Sequence, residues 1–232
     1  MKFSQGIWGL FFFLAIGIGM KLEDHLIDLT PTIKNVPTSR KVVALTFDDG
    51  PLKTTTSEIL GILKEKGIKA TFFVVGERVE RFPTLVQQEI EDGHEVGTHT
   101  YSHPNLTKLR KSQLEEELNK TEKVILTVAP KPTLFRPPGG SYNDKIINLA
   151  RDNGYLTILW SIDTQDWRYP PVGNIVNSVL KDIKPGSIIL LHDGISPSST
   201  PEALEFIIDS LRSLGYEFVT VSELLQYYET KP

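Results

Sequence analysis

The chain has 232 residues, a formal net charge of −4 and ordinary apolar and charged fractions. That is enough for one sizeable domain with a buried core, and it excludes a disordered or fibrous protein. Lys and Arg are scattered rather than striped, so there is no electrostatic footprint for nucleic acid. With no cysteine, disulfides, thiolate zinc sites and cysteine nucleophiles are excluded, and any metal must be held by His and carboxylate.

Taken in chain order, Lys2 precedes an uncharged, mostly apolar stretch from Phe3 to Met20, and a polar flank begins at Lys21. The stretch is apolar all round, with no amphipathic face, so it reads as an export signal rather than a core helix. Gly17-Ile18-Gly19 suits cleavage as a signal peptide, whereas a length close to the ~20 residues that span a bilayer suits a retained N-terminal membrane anchor. Either way the chain is expected on the extracellular face, with residues 1–20 as the signal or anchor. Residues 21–39, with Pro31, Pro37 and no sustained period, read as a linker in which His25 is solvated; the folded domain is expected over 40–228.

From Lys41 the pattern alternates. Apolar, β-branched runs of strand length occur at 42–47, 70–75, 94–99, 133–136, 155–162, 187–192 and 216–221. Between them, 56–67, 83–93, 112–129, 143–154, 172–183 and 200–215 carry helical period, and Gly67, Gly93, Gly154 and Gly215 stand where a left-handed helix cap is expected. Strand and helix in alternation, with seven strands, give an α/β fold with a parallel sheet and outer helices. Polar groups recur at the carboxyl ends of five strands: Asp48 and Asp49, His99 and His103, Arg136, Asp163 and Asp166, and His192. An open sheet gathers ligands at a switch point between a few strands, so five contributions favour a (β/α) barrel whose rim collects them.

The sequence "TFDDGP" places two carboxylates at the end of a buried strand. Asp, Gly and Pro all form turns, but adjacent like charges repel unless a cation or a raised pKa relieves them. His99 and His103 are spaced i, i+4, which on a helical turn sets both imidazoles on one side. HxxxH alone is weak, but an Asp brought to the same rim makes a three-ligand site with open positions, as a catalytic metal requires. One carboxylate of the pair then completes the metal site, and the other is free to accept a proton from the attacking water. His192 closes an apolar strand and can protonate a leaving group, and Arg136 can pair with the free carboxylate. His94 has no such partner and reads as structural.

In this order, "TFDDGP", "HTYSHP", "RPPGG", "DTQDW" and "LLHDG" resemble the five motifs of the polysaccharide deacetylase family, the NodB-homology carbohydrate esterases, across residues 40–225. The resemblance implies a distorted (β/α)7 barrel and metal-dependent removal of N-acetyl groups from a polysaccharide. Carried over by position, it makes Asp48 the general base, Asp49, His99 and His103 the metal ligands, Arg136 the tether of Asp48, His192 the general acid and Asp166 its tuning carboxylate. It makes Trp167 and Leu190 the lining of the acetyl pocket, and the Gly139 N–H an oxyanion donor. Many members have an aromatic residue where this chain has Gly139; glycine keeps the N–H and loses the ring. Asp163 reads as a strand-end hydrogen bond to backbone.

The implied cofactor is one divalent metal, Zn²⁺ before Co²⁺, because the ligand set is hard to borderline. The implied partner is an acetylated polysaccharide, with peptidoglycan of the cell wall first among candidates and the membrane a second contact if the N-terminus is retained. Chitooligosaccharides, poly-N-acetylglucosamine, an O-acetyl xylan esterase and a non-catalytic glycan-binding module are the alternatives.

Overall fold

The run Val42–Asp48 forms β1, and every one of its residues is buried. A strand covered on both faces carries no polar alternation, which is why the run is almost continuously apolar. In this computed structural model, which describes residues 32–230, β1 lies inside a parallel sheet. The other strands of the sheet are β2 (Thr71–Val74), β3 (Glu95–Thr98), β4 (Leu134–Phe135), β5 (Leu156–Thr157), β6 (Ile162–Asp163), β7 (Ile188–His192) and β8 (Glu217–Phe218). The order is β5-β4-β3-β2-β1-β7-β6, with β8 pairing the start of β1 at Val42 and Val43. Every pairing in it is parallel, so all the strand carboxyl ends lie on one rim.

Connecting and covering the strands are α1 (Thr55–Lys66), α2 (Gly76–Arg81), α3 (Pro83–Glu91), α4 (Lys111–Ile125), α5 (Asp144–Asp152), α6 (Val172–Asp182), α7 (Thr200–Ser213) and α8 (Val221–Leu225). Gly67, Gly93, Gly154 and Gly215 all have positive φ, as expected for the caps. The short α2 and α8 were not expected; six and five residues are too few to show a helical period.

The two faces of the strands divide the core. Val43, Leu45 and Phe47 of β1, with Phe72, Val74, Ile189 and Leu191, pack outward against Leu60, Leu63, Leu204, Ile207 and Ile208 of the helices. Each such fully buried side chain contributes about 1.5–3 kcal/mol. The alternate residues Thr46, Asp48, Phe73 and Leu190 face the barrel interior, where the buried Arg136 reaches Thr46, Asp48 and the Phe73 ring.

Two expectations are corrected here. The run 155–162 is not one strand: β5 pairs with β4, β6 pairs with β7, and Ile158–Ser161 crosses between them. This is the seam of the barrel, where the curved sheet leaves β5 and β6 unpaired with each other. Ile33 lies along it: its N–H donates to the Thr157 carbonyl (2.9 Å), and the Ile33 carbonyl accepts from the Leu159 N–H (2.7 Å). With Ile33 and Val36 both buried, residues 33–36 belong to the folded domain rather than to the linker. Two apolar residues were too short a signal to show this. The signal or anchor reading of residues 1–20, the linker reading up to residue 31 and His25 lie outside the described residues. Among those described, no helix is long and apolar enough to cross a membrane.

Candidate active site

Successive residues of a strand point to opposite faces, so Asp48 and Asp49 would diverge if β1 simply continued. The chain instead turns left-handed at Asp49 (φ 72), a conformation that Asp tolerates better than most residues, and both carboxylates open into one cleft. Behind them Gly50 is obligatory, because a Cβ there would lie 2.0 Å from Asp193 Oδ2. "DDG" is therefore a turn and a site together.

Asp48 is held by Arg136, whose Nη1 donates to Asp48 Oδ1 at 2.7 Å. Burying a guanidinium without partners is very costly, and this one is fully buried. Its remaining donors reach Thr46 Oγ1 (2.8 Å), the Ile158 carbonyl (3.3 Å) and the Leu159 carbonyl (2.9 Å), so the seam is tied to the base of the site. The Arg136 carbonyl lies 2.7 Å from His99 Nδ1. A carbonyl only accepts, so Nδ1 carries the proton and Nε2 is the ring nitrogen turned to the cleft.

Asp49 Oδ1 stands 3.4 Å from His99 Nε2 and 3.1 Å from His103 Nε2, and the three ligand atoms lie within 4.8 Å of one another. This oxygen is buried and makes no hydrogen bond of good geometry. Burial pushes the Asp49 carboxyl up, but the His103 and His99 imidazoles close beside it outweigh burial and hold the group well below the usual carboxylate range. An orphaned carboxylate oxygen facing two imidazole nitrogens fits a divalent cation that prefers oxygen and nitrogen donors. Asp49, His99 and His103 are thus residues that could hold a metal. One expectation about them is corrected: the backbone from His99 to His103 is not helical. β3 ends at Thr98 and the chain reverses through positive φ at Thr100 (70) and His103 (55), which brings the imidazole centroids to 5.0 Å.

Across the cleft, His192 is the register partner of Asp48 on β7. Its Nδ1 lies 2.7 Å from Asp166 Oδ1, and its backbone N–H donates to Asp166 Oδ2 (2.8 Å). Burial pulls the His192 imidazole down, but hydrogen bonding and charge from Asp166, helped by the charges of Asp48 and Asp49, push it up to about 9. The ring is therefore protonated at neutral pH.

Gly139 (φ 60), Trp167, Leu190, Trp160 and Asp163 complete the lining of a cleft of about 280 Å³. Trp167 is 42 % exposed at its mouth, and Leu190 is buried. Space around a Cβ at Gly139 is open, so the absent side chain leaves the cleft wider there. Asp163 also accepts from the Gln165 N–H (2.9 Å), the strand-end bond expected of it. His94 lies away from the cleft, where Nδ1 accepts from the Ala70 N–H and burial lowers the ring to about 4, with Lys69 adding to the effect, in keeping with a structural role.

Sequence reasoning missed Thr46, Trp160 and Thr200. Thr200 donates to Asp166 Oδ2 at 2.6 Å. In "TPEAL" its hydroxyl is accounted for by a helix start, so nothing marked it as part of the site. Trp160 was absorbed into a strand run; its position beside the rim was the one available signal.

Residues 35–158 match the model of the family described as polysaccharide deacetylase. A peptidoglycan-N-acetylglucosamine deacetylase of Bacillus cereus is 45 % identical over 195 residues, covering 83 % of this chain and 92 % of that protein. The crystal structure of a peptidoglycan N-acetylglucosamine deacetylase in complex with 4-naphthalen-1-yl-N-oxidanyl-benzamide superposes with a TM-score of 0.83 at 35 % identity, over 88 % of this chain and 97 % of that one. A CE4 family pseudoenzyme from Bacillus anthracis superposes almost as well, with a TM-score of 0.82 at 34 % identity, over 88 % of this chain and 73 % of that one. The shared fold is the distorted (β/α)7 barrel. By its matched family model, its relatives and its barrel, this chain belongs to the polysaccharide deacetylase family.

Proposed function

We propose that the chain is an exported hydrolase that removes N-acetyl groups from cell-wall peptidoglycan with the help of one zinc ion. The observation that carries this reading is the pairing of two halves in one cleft: the Asp49, His99 and His103 group beside an arginine-anchored Asp48, and a His192 bonded to Asp166 facing them. The relatives support peptidoglycan as the glycan. An extracellular place of action, with the N-terminal segment as signal or anchor, follows from that substrate and from the apolar run of residues 3–20.

A divalent cation at Asp49, His99 and His103 supplies Lewis acidity, which acidifies water and polarises an amide carbonyl. The chain's own groups do the rest. Asp48, held in place by its bond to Arg136, takes the proton of the water that attacks the acetyl carbon. The N–H of Gly139, which lines the cleft, is the donor to the developing oxyanion in this reading. His192 gives its proton to the sugar nitrogen as the carbon–nitrogen bond breaks, and acetate and a free amine leave. Trp167 and Leu190 border the space for the acetyl methyl. An amine leaves poorly unless protonated, so a His192 poised to donate favours an amide over an O-acetyl ester. The filled set of ligand, base and acid positions argues against a non-catalytic module.

Acetate release from purified sacculi tests the reading, with chitooligosaccharides in parallel. Release from sacculi is expected to be the faster; none from either, by a metal-loaded sample, would overturn it. The same assay reads the acid. His192 must be protonated, and its pKa is raised, so the rate should be full at neutral pH and fall as pH rises through about 9, or somewhat lower once a cation offsets Asp48 and Asp49. Asp166→Asn removes the chief cause of the raised value and should move that limb to lower pH.

A further inference from the structure

The segment joining the two histidine ligands is strained. Thr100 is β-branched at φ 70, a region such residues rarely enter, and its buried hydroxyl has no partner. Such a conformation persists only where its surroundings impose it. From one side, the first residues of α2 do so: the Gly76 and Glu77 N–H groups donate to the Thr100 and Tyr101 carbonyls, each at 3.0 Å. From the other side comes Glu117, in the middle of α4. Its Oε2 accepts from the Tyr101 N–H (2.8 Å) and the Ser102 N–H (2.9 Å), and its Oε1 accepts from the Ser102 hydroxyl (2.7 Å). Lys120, one turn further along α4, stands 3.5 Å over the Tyr101 ring.

We propose that Glu117 is a positioning residue for the metal site: its carboxylate holds the 99–103 reversal in the left-handed form that turns His103 Nε2 and His99 Nε2 towards Asp49. Bonds to a carboxylate are the stronger kind, and all three fall on two of the three residues between the ligands. Nothing in the sequence marks Glu117, one of several acidic residues in "QLEEELNKTE". The bland alternative is a staple between helix and loop with no bearing on the ligands. The proposal rests on the reading of Asp49, His99 and His103 as ligands, and the test separates the two.

Zinc affinity of the full-length chain, measured by competition with a chromophoric chelator, is the readout, together with melting temperatures in chelator and in zinc. Glu117→Ala should weaken zinc about 10–100-fold, the range typical of residues that orient metal ligands. Glu117→Gln, which keeps a carbonyl acceptor, should recover part of the affinity, and Ser102→Ala, which removes one of the three bonds, should lose less. Excess zinc should restore turnover to Glu117→Ala. Wild-type affinity in Glu117→Ala, even with a lowered melting temperature, would overturn the proposal and leave the staple. If Glu117→Ala does not fold, unchanged affinity in both Glu117→Gln and Ser102→Ala would overturn it in the same way. Absence of zinc binding by the wild-type chain would instead overturn the ligand reading, and this proposal with it.

Discussion

Asp48→Asn is expected to lower turnover by about 10²- to 10⁴-fold while leaving metal content unchanged, the effect of losing a general base. The amide keeps the shape of the side chain, and its oxygen can still accept from Arg136, as Asp48 Oδ1 does at 2.7 Å. The three proposed ligands are untouched. What is lost is basicity. Asp49→Asn should behave in the opposite way, because its buried Oδ1 faces both imidazoles: metal binding weakens, and added zinc or cobalt restores part of the rate. If Asp48→Asn lost its metal and Asp49→Asn kept it, the two roles would have to be exchanged. Full activity and full metal in both would leave the pair as a turn and nothing more.

Arg136→Ala is expected to cost about 3–5 kcal/mol of stability, the usual consequence of removing one partner of a buried ion pair. Asp48 would remain almost wholly buried, its charge uncompensated, and the Leu159 and Ile158 carbonyls at the seam would lose their donors. Arg136→Lys should recover little of this, since one ammonium cannot reproduce a planar fork that reaches four acceptors. Urea unfolding of a double-mutant cycle isolates the cause: in an Asp48→Asn background, Arg136→Ala should cost less, because no carboxylate charge is stranded. A cost under about 1 kcal/mol in the parent chain would show that the pair does not hold the barrel interior together.

Much of this arrangement was legible beforehand because a parallel sheet forces its strand ends onto one rim. Asp48, His99, Arg136, Asp166 and His192 could be assigned to a common place once their strands were recognised, and the structure does bring them to one cleft and the layer behind it. The handedness of the local chain was less accessible. An i, i+4 spacing suggests a helical turn, but the end of β3 at Thr98 and the contacts from α2 and α4 impose a left-handed reversal instead. That choice is made by tertiary hydrogen bonds, which leave no period in the sequence. The same holds for the seam, where one apolar run serves two strands, and for Ile33, whose pairing with the seam depends on residues 125 positions away. Glu117 and Thr200 show the general case: a residue that orients a functional group needs the right atom at the right distance, and many side chains of that type occur nearby.

The most direct measurement is acetate released from purified sacculi by the full-length chain, first stripped of metal with a chelator and then titrated with zinc. Stripped protein should release none, and the rate should climb to its plateau at one equivalent, with no recovery in the Asp49→Ala/His99→Ala/His103→Ala triple variant. Release that persists in the stripped protein, or that zinc restores equally in the triple variant, would contradict hydrolysis at this site.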